Sequence, residues 1–326
     1  MIRLFKSLQL ATLFLIPIII IVFWARTIFH SNPIPDARSL PLWGVINALL
    51  IAFPSWVNFI FLIVIISGES IYMNLLMNRH EIQYKNSFLP ALVFALLISS
   101  FPGMMQFHPV HLINLLVLII LDRAFTLFKN DFPVSALFDC SFLTGIAALI
   151  YFPAVILIPF LLITLIVLRP FHFKEWLITM IGILLPYFFI SVYEFWNHNI
   201  FQFWELYLDS FKFIRPSFII EKNLNLILFA SYILSILLFS LIKLRMNYRK
   251  NIIRTRSNQQ IFLILLLFGV AWLMLVEKIE IIHFAFLIIP LSVFCSYFFI
   301  SAKKKLWIYE SILWGMIALI IWNHLY

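Results

Sequence analysis

Charge is what this sequence has least of. Only 11% of its 326 residues are Asp, Glu, Lys or Arg, against about 25% in soluble domains. No polar stretch is long enough to fold as a separate soluble domain; the longest, 197–223, is rich in aromatics. Glycine is nearly as sparse, at 7 residues, and no GxGxxG, Walker loop, GxSxG elbow or HExxH occurs. Phosphate-cradling glycine loops are therefore excluded, and energy from ATP would have to come from a partner. The two cysteines, Cys140 and Cys295, lie in apolar runs without CxxC or metal-type spacing, so they read as small hydrophobes. No internal repeat is visible, which weighs against the inverted-repeat transporters.

What is present is apolar length. Hydrophobic residues make up 64% of the chain and the mean hydropathy is +1.05. The stretch 138–189 is the clearest case: its only charges are Asp139, Arg169, Lys174 and Glu175. A helix in water must keep one face polar, and the runs between these charges have no such face. The expectation is an all-α polytopic membrane protein forming one domain over 1–326. Apolar runs predict about eleven transmembrane helices, at 8–24, 55–77, 88–101, 110–128, 135–152, 154–168, 176–193, 224–242, 261–276, 282–300 and 307–322. The first is read as a retained helix, because its exit lacks a small-x-small cleavage pattern. Two further helices, near 45–53 and 200–213, are expected to lie in the interface.

The net charge of +9 would suggest nucleic acid in a soluble protein. Here its placement explains it: with the N-terminus cytoplasmic, 17 of the 23 Lys and Arg fall in inner segments, as the positive-inside rule demands. That orientation leaves the C-terminus on the outer, periplasmic side and points to a multi-pass membrane protein. Membrane lipids and other membrane proteins are the expected partners, and nucleic acid is not one.

The segments NRHEIQYKNSFLPALVFALL, HPVHLINLLVLIILDRAF, FDCSFLTGIAALIYFPA and LRPFHFKEWLITMIGILLPYFF resemble an uncharacterised family of multi-pass inner-membrane proteins of Bacteroidota. LRPFHFKEW is the most distinctive of them. The resemblance implies a cell-envelope setting and no mechanism. A second, architectural likeness is to the C-superfamily membrane glycosyltransferases: a first span, an interfacial helix and an acidic first outer loop. It implies a base at Asp36, with a polyprenyl-phosphate-linked substrate at the outer leaflet. The usual paired-acid motif is absent. Arg26, Arg38 and Arg215, with His108, are the candidate substrate ligands, because a guanidinium fork matches a pyrophosphate. The bland alternative is an ordinary wet loop surface, since exposed ion pairs are common and worth little. Among the histidines only His108 and His111 share a helix-like spacing, so neither metal nor cofactor is expected.

Ionisable and amide groups inside apolar runs are costly and hence candidates. These are Glu69, Asn74, His111, Asn114 and Asp139. Asp139 is expected to pair with Arg123 or Lys129. For Glu69 two readings stand: a neutral carboxyl bonded to an Asn of a neighbouring span, or a proton carrier. In 194–220, Phe201, Trp204 and Leu208 share one helical face, opposite Gln202, Glu205 and Asp209, which predicts a helix flat in the interface, as a lid or a floor. Three functions follow: a glycosyltransferase-like envelope protein, a non-catalytic membrane subunit, or a proton-coupled transporter using Glu69.

Overall fold

The computed structural model describes residues 1–6, 11–28, 40–83, 85–128, 130, 132–212, 217–218, 224–276, 278–302 and 306–325; the side chains at 11, 26–28, 41, 211–212 and 217–218 lie outside that description. The described chain is almost entirely helical. In order the helices are α1 (Ile2–Lys6), α2 (Ala11–Ile28), α3 (Pro41–Ala52), α4 (Ser55–Arg79), α5 (Leu89–Ile98), α6 (Pro109–Phe125) and α7 (Val134–Ile150). They continue with α8 (Leu157–Leu168), α9 (Phe173–Trp196), α10 (Ile200–Lys212), α11 (Leu224–Asn247), α12 (Ile253–Leu275), α13 (Ala285–Ile300) and α14 (Leu306–Leu325). Among the described residues each predicted apolar run contains a helix, and six of these helices are long and apolar enough to cross a membrane.

Proline sets several of the boundaries. Pro54 ends α3 and opens α4, because the residue before a proline is pushed out of the helical region. Between α7 and α8, Tyr151 is extended and a short 3-10 turn, Phe152–Ile156, carries Pro153. The break falls where the sequence predicts a turn.

Burial divides the bundle into a core and a shell. All ten residues of α5 are buried, as is every residue of α13 except Leu287 and Leu291. The two helices pack together, with α4 and α6 beside them. α9, α11 and α14 instead leave most of their apolar residues uncovered, which is how a lipid-facing helix looks without lipid. At about 1.5 Å per residue α5 is only about 15 Å long, half of a hydrocarbon core. Such a helix is tolerated because protein surrounds it. Its first turn is reached by Phe88 N–H donating to Phe5 O at 2.8 Å. Its last carbonyls lie under α14: His324 Nε2 is 2.9 Å from Ser99 O, and Asn323 donates to Ser100 O at 3.2 Å.

α7 and α9 approach unusually closely. A Cβ on Gly182 would sit 2.6 Å from Ser141 Cβ, and one on Gly145 would sit 2.6 Å from Ile183 O. Small residues four apart on each helix, Ser141 and Gly145 against Gly182 and Pro186, let the backbones touch, the usual device where no hydrophobic effect drives helices together.

α10 docks by an edge the periodicity did not single out. Phe203 and Tyr207 are buried against Leu40, Ala148, Leu149, Phe152 and Tyr187, and the Tyr187 and Tyr207 hydroxyls are 2.6 Å apart. The predicted stripe of Phe201, Trp204 and Leu208 stays exposed, Phe201 at 88%. The helix thus keeps an apolar face turned outward while a second face holds it to α7 and α9.

Candidate functional site

α6 is the axis on which the polar groups can be placed. Its 17 residues span about 25 Å, and a different cluster sits at each end.

At the C-terminal end Asp122 is an acceptor for three groups. Tyr72 Oη donates to Oδ2 at 2.9 Å, Arg79 Nη1 to Oδ2 at 2.8 Å, and His80 Nε2 to Oδ1 at 2.7 Å. Arg254 Nη2 lies 3.2 Å from His80 Nδ1. A guanidinium only donates, so Nδ1 must carry a lone pair and the imidazole is neutral, with its proton on Nε2. Burial first of all holds His80 below the usual histidine range, against the pull of Asp122. The close His80–Asp122 contact is therefore a hydrogen bond to a carboxylate rather than an ion pair. The loop after His80 is clamped by α12: Thr255 donates to Glu81 O at 3.0 Å, Asn258 to His80 O at 3.4 Å and Gln259 to Ile82 O at 2.8 Å. Glu81 is held at φ +48, in the left-handed region that few non-glycine residues adopt.

At the N-terminal end the cluster has no carboxylate at its centre. His108 caps α6, its Nδ1 accepting from Val110 N–H at 3.2 Å. His283 Nδ1 accepts from Glu280 N–H at 3.1 Å, and its Nε2 is 2.9 Å from Tyr151 Oη. Both imidazoles spend Nδ1 on a backbone donor, so each is fixed as the Nε2–H tautomer. The His108 and His283 rings meet edge to face, 5.1 Å apart. Burial, then repulsion from His283 and His111, holds His108 well below its ordinary value. Trp272 stacks on Phe286 at 4.5 Å beside Tyr151, giving the cluster an aromatic floor. Among the described residues no group of His, Cys, Asp and Glu has the arrangement of a metal site.

The two clusters collect the loops into two sets. With Asp122 lie the Met1 amino group, 3.6 Å from Glu310, Lys6 donating to Ala302 O at 2.9 Å, and Lys243 donating to Ser301 Oγ at 3.0 Å. Arg169 donates there to Leu127 O at 2.9 Å and Asn130 O at 2.6 Å, and pairs with Glu175. With His108 lie Trp43, stacked on Phe107, and Gly103 against Ile281. The strands β1 (Ser217–Phe218) and β2 (Lys278–Ile279), which run parallel, tie the chain between α10 and α11 to that between α12 and α13.

The predicted ligands are only partly within this picture. Asp36, Arg38 and Arg215 lie outside the described residues, and so does the side chain of Arg26. The residue at which the description resumes after Asp36 and Arg38, Leu40, packs with Phe203 and Tyr207. His108 stands in the cluster above.

Between the ends, Glu69 is fully buried and neither of its carboxyl oxygens has a hydrogen-bond partner. No Asn of a neighbouring span bonds it: Asn114 on α6 donates to Ala285 O instead, and Asn74, on the same helix as Glu69, is equally buried and unpaired. Ser70, one position on, donates to Ala91 O at 2.7 Å. His111 Nε2 lies 3.3 Å from Met104 O with Nδ1 unpaired, and Asn114 donates to Ala285 O at 3.1 Å with its own oxygen unpaired. Asp139 faces Arg123, one of its two expected partners, at 3.7 Å in an exposed pair. The residues that sequence reasoning passed over are Tyr72, His80 and Arg254 at one end and Tyr151 at the other; His283, near the outer end of the run 282–300, reads from the sequence as a snorkelling or capping group, and it does cap the turn after Glu280.

Comparison of the chain with family models, curated proteins and solved structures found no match in any of the three.

Proposed function

We propose that this chain is a bacterial inner-membrane protein that crosses the bilayer eleven times, N-terminus cytoplasmic and C-terminus periplasmic. On this reading the His108 end faces the outer leaflet and binds a polyprenyl-phosphate-linked glycan, as in the C-superfamily glycosyltransferases. Asp36 serves as base, and Arg26, Arg38 and Arg215 grip the phosphates.

The observation that carries the reading is the sorting of loops. Segments whose cations predict a cytoplasmic side gather around Asp122, and the segments flanking the candidate ligands gather around His108. The outward-turned apolar face of α10, at the same end, gives a lipid substrate a surface along which to enter. The neutral, tautomer-locked His108 offers an Nε2–H donor to a sugar hydroxyl or a phosphate oxygen.

Wild-type protein purified in mild detergent is expected to carry a polyprenyl-phosphate lipid detectable by mass spectrometry. Combined replacement of Arg26, Arg38 and Arg215 by Ala removes it, and Asp36→Asn retains the lipid but abolishes transfer. Wild-type protein free of such a lipid would reduce the chain to a non-catalytic membrane subunit.

One observation favours a second reading. The fully buried Glu69, with both oxygens unpaired, is what a proton-carrying carboxyl of a coupled transporter looks like, because a charge there is offset by nothing. Reconstituted vesicles taking up protons through the wild type but not Glu69→Gln would select it.

A further inference from the structure

The Asp122 end holds an open cleft of about 550 Å³, within the size range of small-molecule sites, that no part of the proposed outer-leaflet chemistry uses. Lys85 and Lys250, from two different loops, line it together with Asn86, Asn251, Glu81 and Thr255.

Three independent features give this cleft a positive field. First, neither lysine pairs with a carboxylate within 4 Å among the described residues, and both are exposed. Second, the first turn of α12 opens here. Its N-cap is Ile252, which offers no side-chain acceptor, so the leading amide N–H groups of a 23-residue helix lack a cap where Ser or Asp would normally supply one. Uncapped amides and the aligned peptide dipoles make such a terminus a ready partner for an anion. Third, the surrounding end is electrostatically crowded: Lys6 is held below its ordinary value by burial and then by repulsion from Lys85 and Lys243. Of these three lysines only Lys85 lines the cleft, and an anion beside it relieves its share of that repulsion. Cations that serve only to set topology need not converge on a cavity, and Lys85 and Lys250 do.

The walls are also fixed in place. Glu81 is pinned by Thr255 in its left-handed conformation, and Asn251 donates to Gln259 Oε1 at 3.2 Å, which leaves its own side-chain oxygen to accept. Gln83 donates to Ser296 Oγ at 2.6 Å, tying the same loop to the buried helix α13. A cleft that is shaped before its ligand arrives loses less freedom on binding. Glu81 adds a discriminating element: its carboxylate on the rim repels a compact polyanion but accepts from a hydroxyl or ammonium group on the same ligand.

We infer that this cleft binds a phosphate ester carrying a neighbouring hydroxyl or amino group, with the phosphate between Lys85, Lys250 and the α12 N-terminus and the hydroxyl or amine at Glu81. The ligand is either a phospholipid headgroup or a soluble ester of the same chemistry. The inference is independent of the outer-leaflet reading, because none of the residues proposed for that chemistry lines the cleft.

The test uses full-length protein in neutral detergent and follows its melting temperature against glycerol phosphate, and separately against phosphatidylglycerol with phosphatidylcholine as control. A wild-type shift with glycerol phosphate supports a soluble ester; a shift with phosphatidylglycerol alone supports a headgroup. In either case Lys85→Gln combined with Lys250→Gln weakens the apparent affinity at least about tenfold, as expected when both charge-assisted contacts are lost. Ile252→Asp guards against misfolding as the explanation. It caps the helix, so it raises the ligand-free melting temperature while removing the ligand-induced shift. If the wild type responds to neither probe, or if both variants respond as the wild type does, the inference is overturned.

Discussion

The two ends of α6 solve the same problem in opposite ways. At one end a carboxylate, Asp122, collects a guanidinium, an imidazole and a phenol; at the other, two imidazoles and a phenol are held without any central charge. The first arrangement is directional and depends on one atom group. The second spreads its bonds over backbone donors and ring contacts, so no single member is indispensable. An end built on one charge joins helices through a single group, and an end built on neutral donors joins them through several.

The sharpest way to break this comparison is Asp122→Ala. It leaves Arg79 and His80 without an acceptor in a site where Asp122 is only 11% exposed at its side chain, and hydrogen bonds to charged groups are worth about 1.5–3 kcal/mol each. A loss of about 3 kcal/mol is expected in denaturant or thermal unfolding, discounted because the Arg79 side chain is 60% exposed. His283→Phe at the other end removes two neutral hydrogen bonds, from Glu280 N–H and with Tyr151 Oη, and keeps the ring contacts. A loss of about 1–2 kcal/mol is expected there, and a loss as large as that of Asp122→Ala would erase the distinction between the ends.

Acidification sharpens the comparison further. His80 and His108 both titrate below the usual histidine range in the folded protein. Below the unfolded value near pH 6.5 the unfolded chain therefore takes up protons first. Stability is complete above that pH and declines as pH falls towards the folded values. His80→Gln and His108→Gln should each flatten part of the decline between pH 7 and pH 5, with His108→Gln removing the larger share. The smallest effect is expected of Glu69→Gln, within about 1 kcal/mol in stability, because an amide of nearly the same shape replaces a carboxyl that makes no bond. A large gain in stability on that replacement would show that the carboxyl is charged in the fold.

Much of the helical framework was legible because hydrocarbon imposes so simple a rule: long runs without charge, separated by loops with Lys and Arg. The runs at 55–77, 176–193, 224–242 and 307–322 lie within α4, α9, α11 and α14. The helix at 200–213 was legible too, though not its docked edge, since Phe203 and Tyr207 are chosen by the shapes of α7 and α9 rather than by the helix itself. The Asp122 cluster was illegible because its members lie 42, 43, 50 and 174 positions apart in sequence along their contacts. No local pattern joins Asp122 to Arg254. The same holds for Tyr151 and His283, separated by 132 residues. Complete burial of α5 was likewise invisible, because an all-apolar decapeptide reads alike whether lipid or protein surrounds it.

The central claim is that the Asp122 end and the His108 end face opposite sides of one membrane. Single cysteines at Asn86 and at Asn197, both exposed, test it in intact cells with a membrane-impermeant maleimide, against a low background because Cys140 and Cys295 are buried. Labelling of the Asn197 position from outside, with the Asn86 position reached only after lysis, is the predicted result. Labelling of both positions from the same side would contradict it.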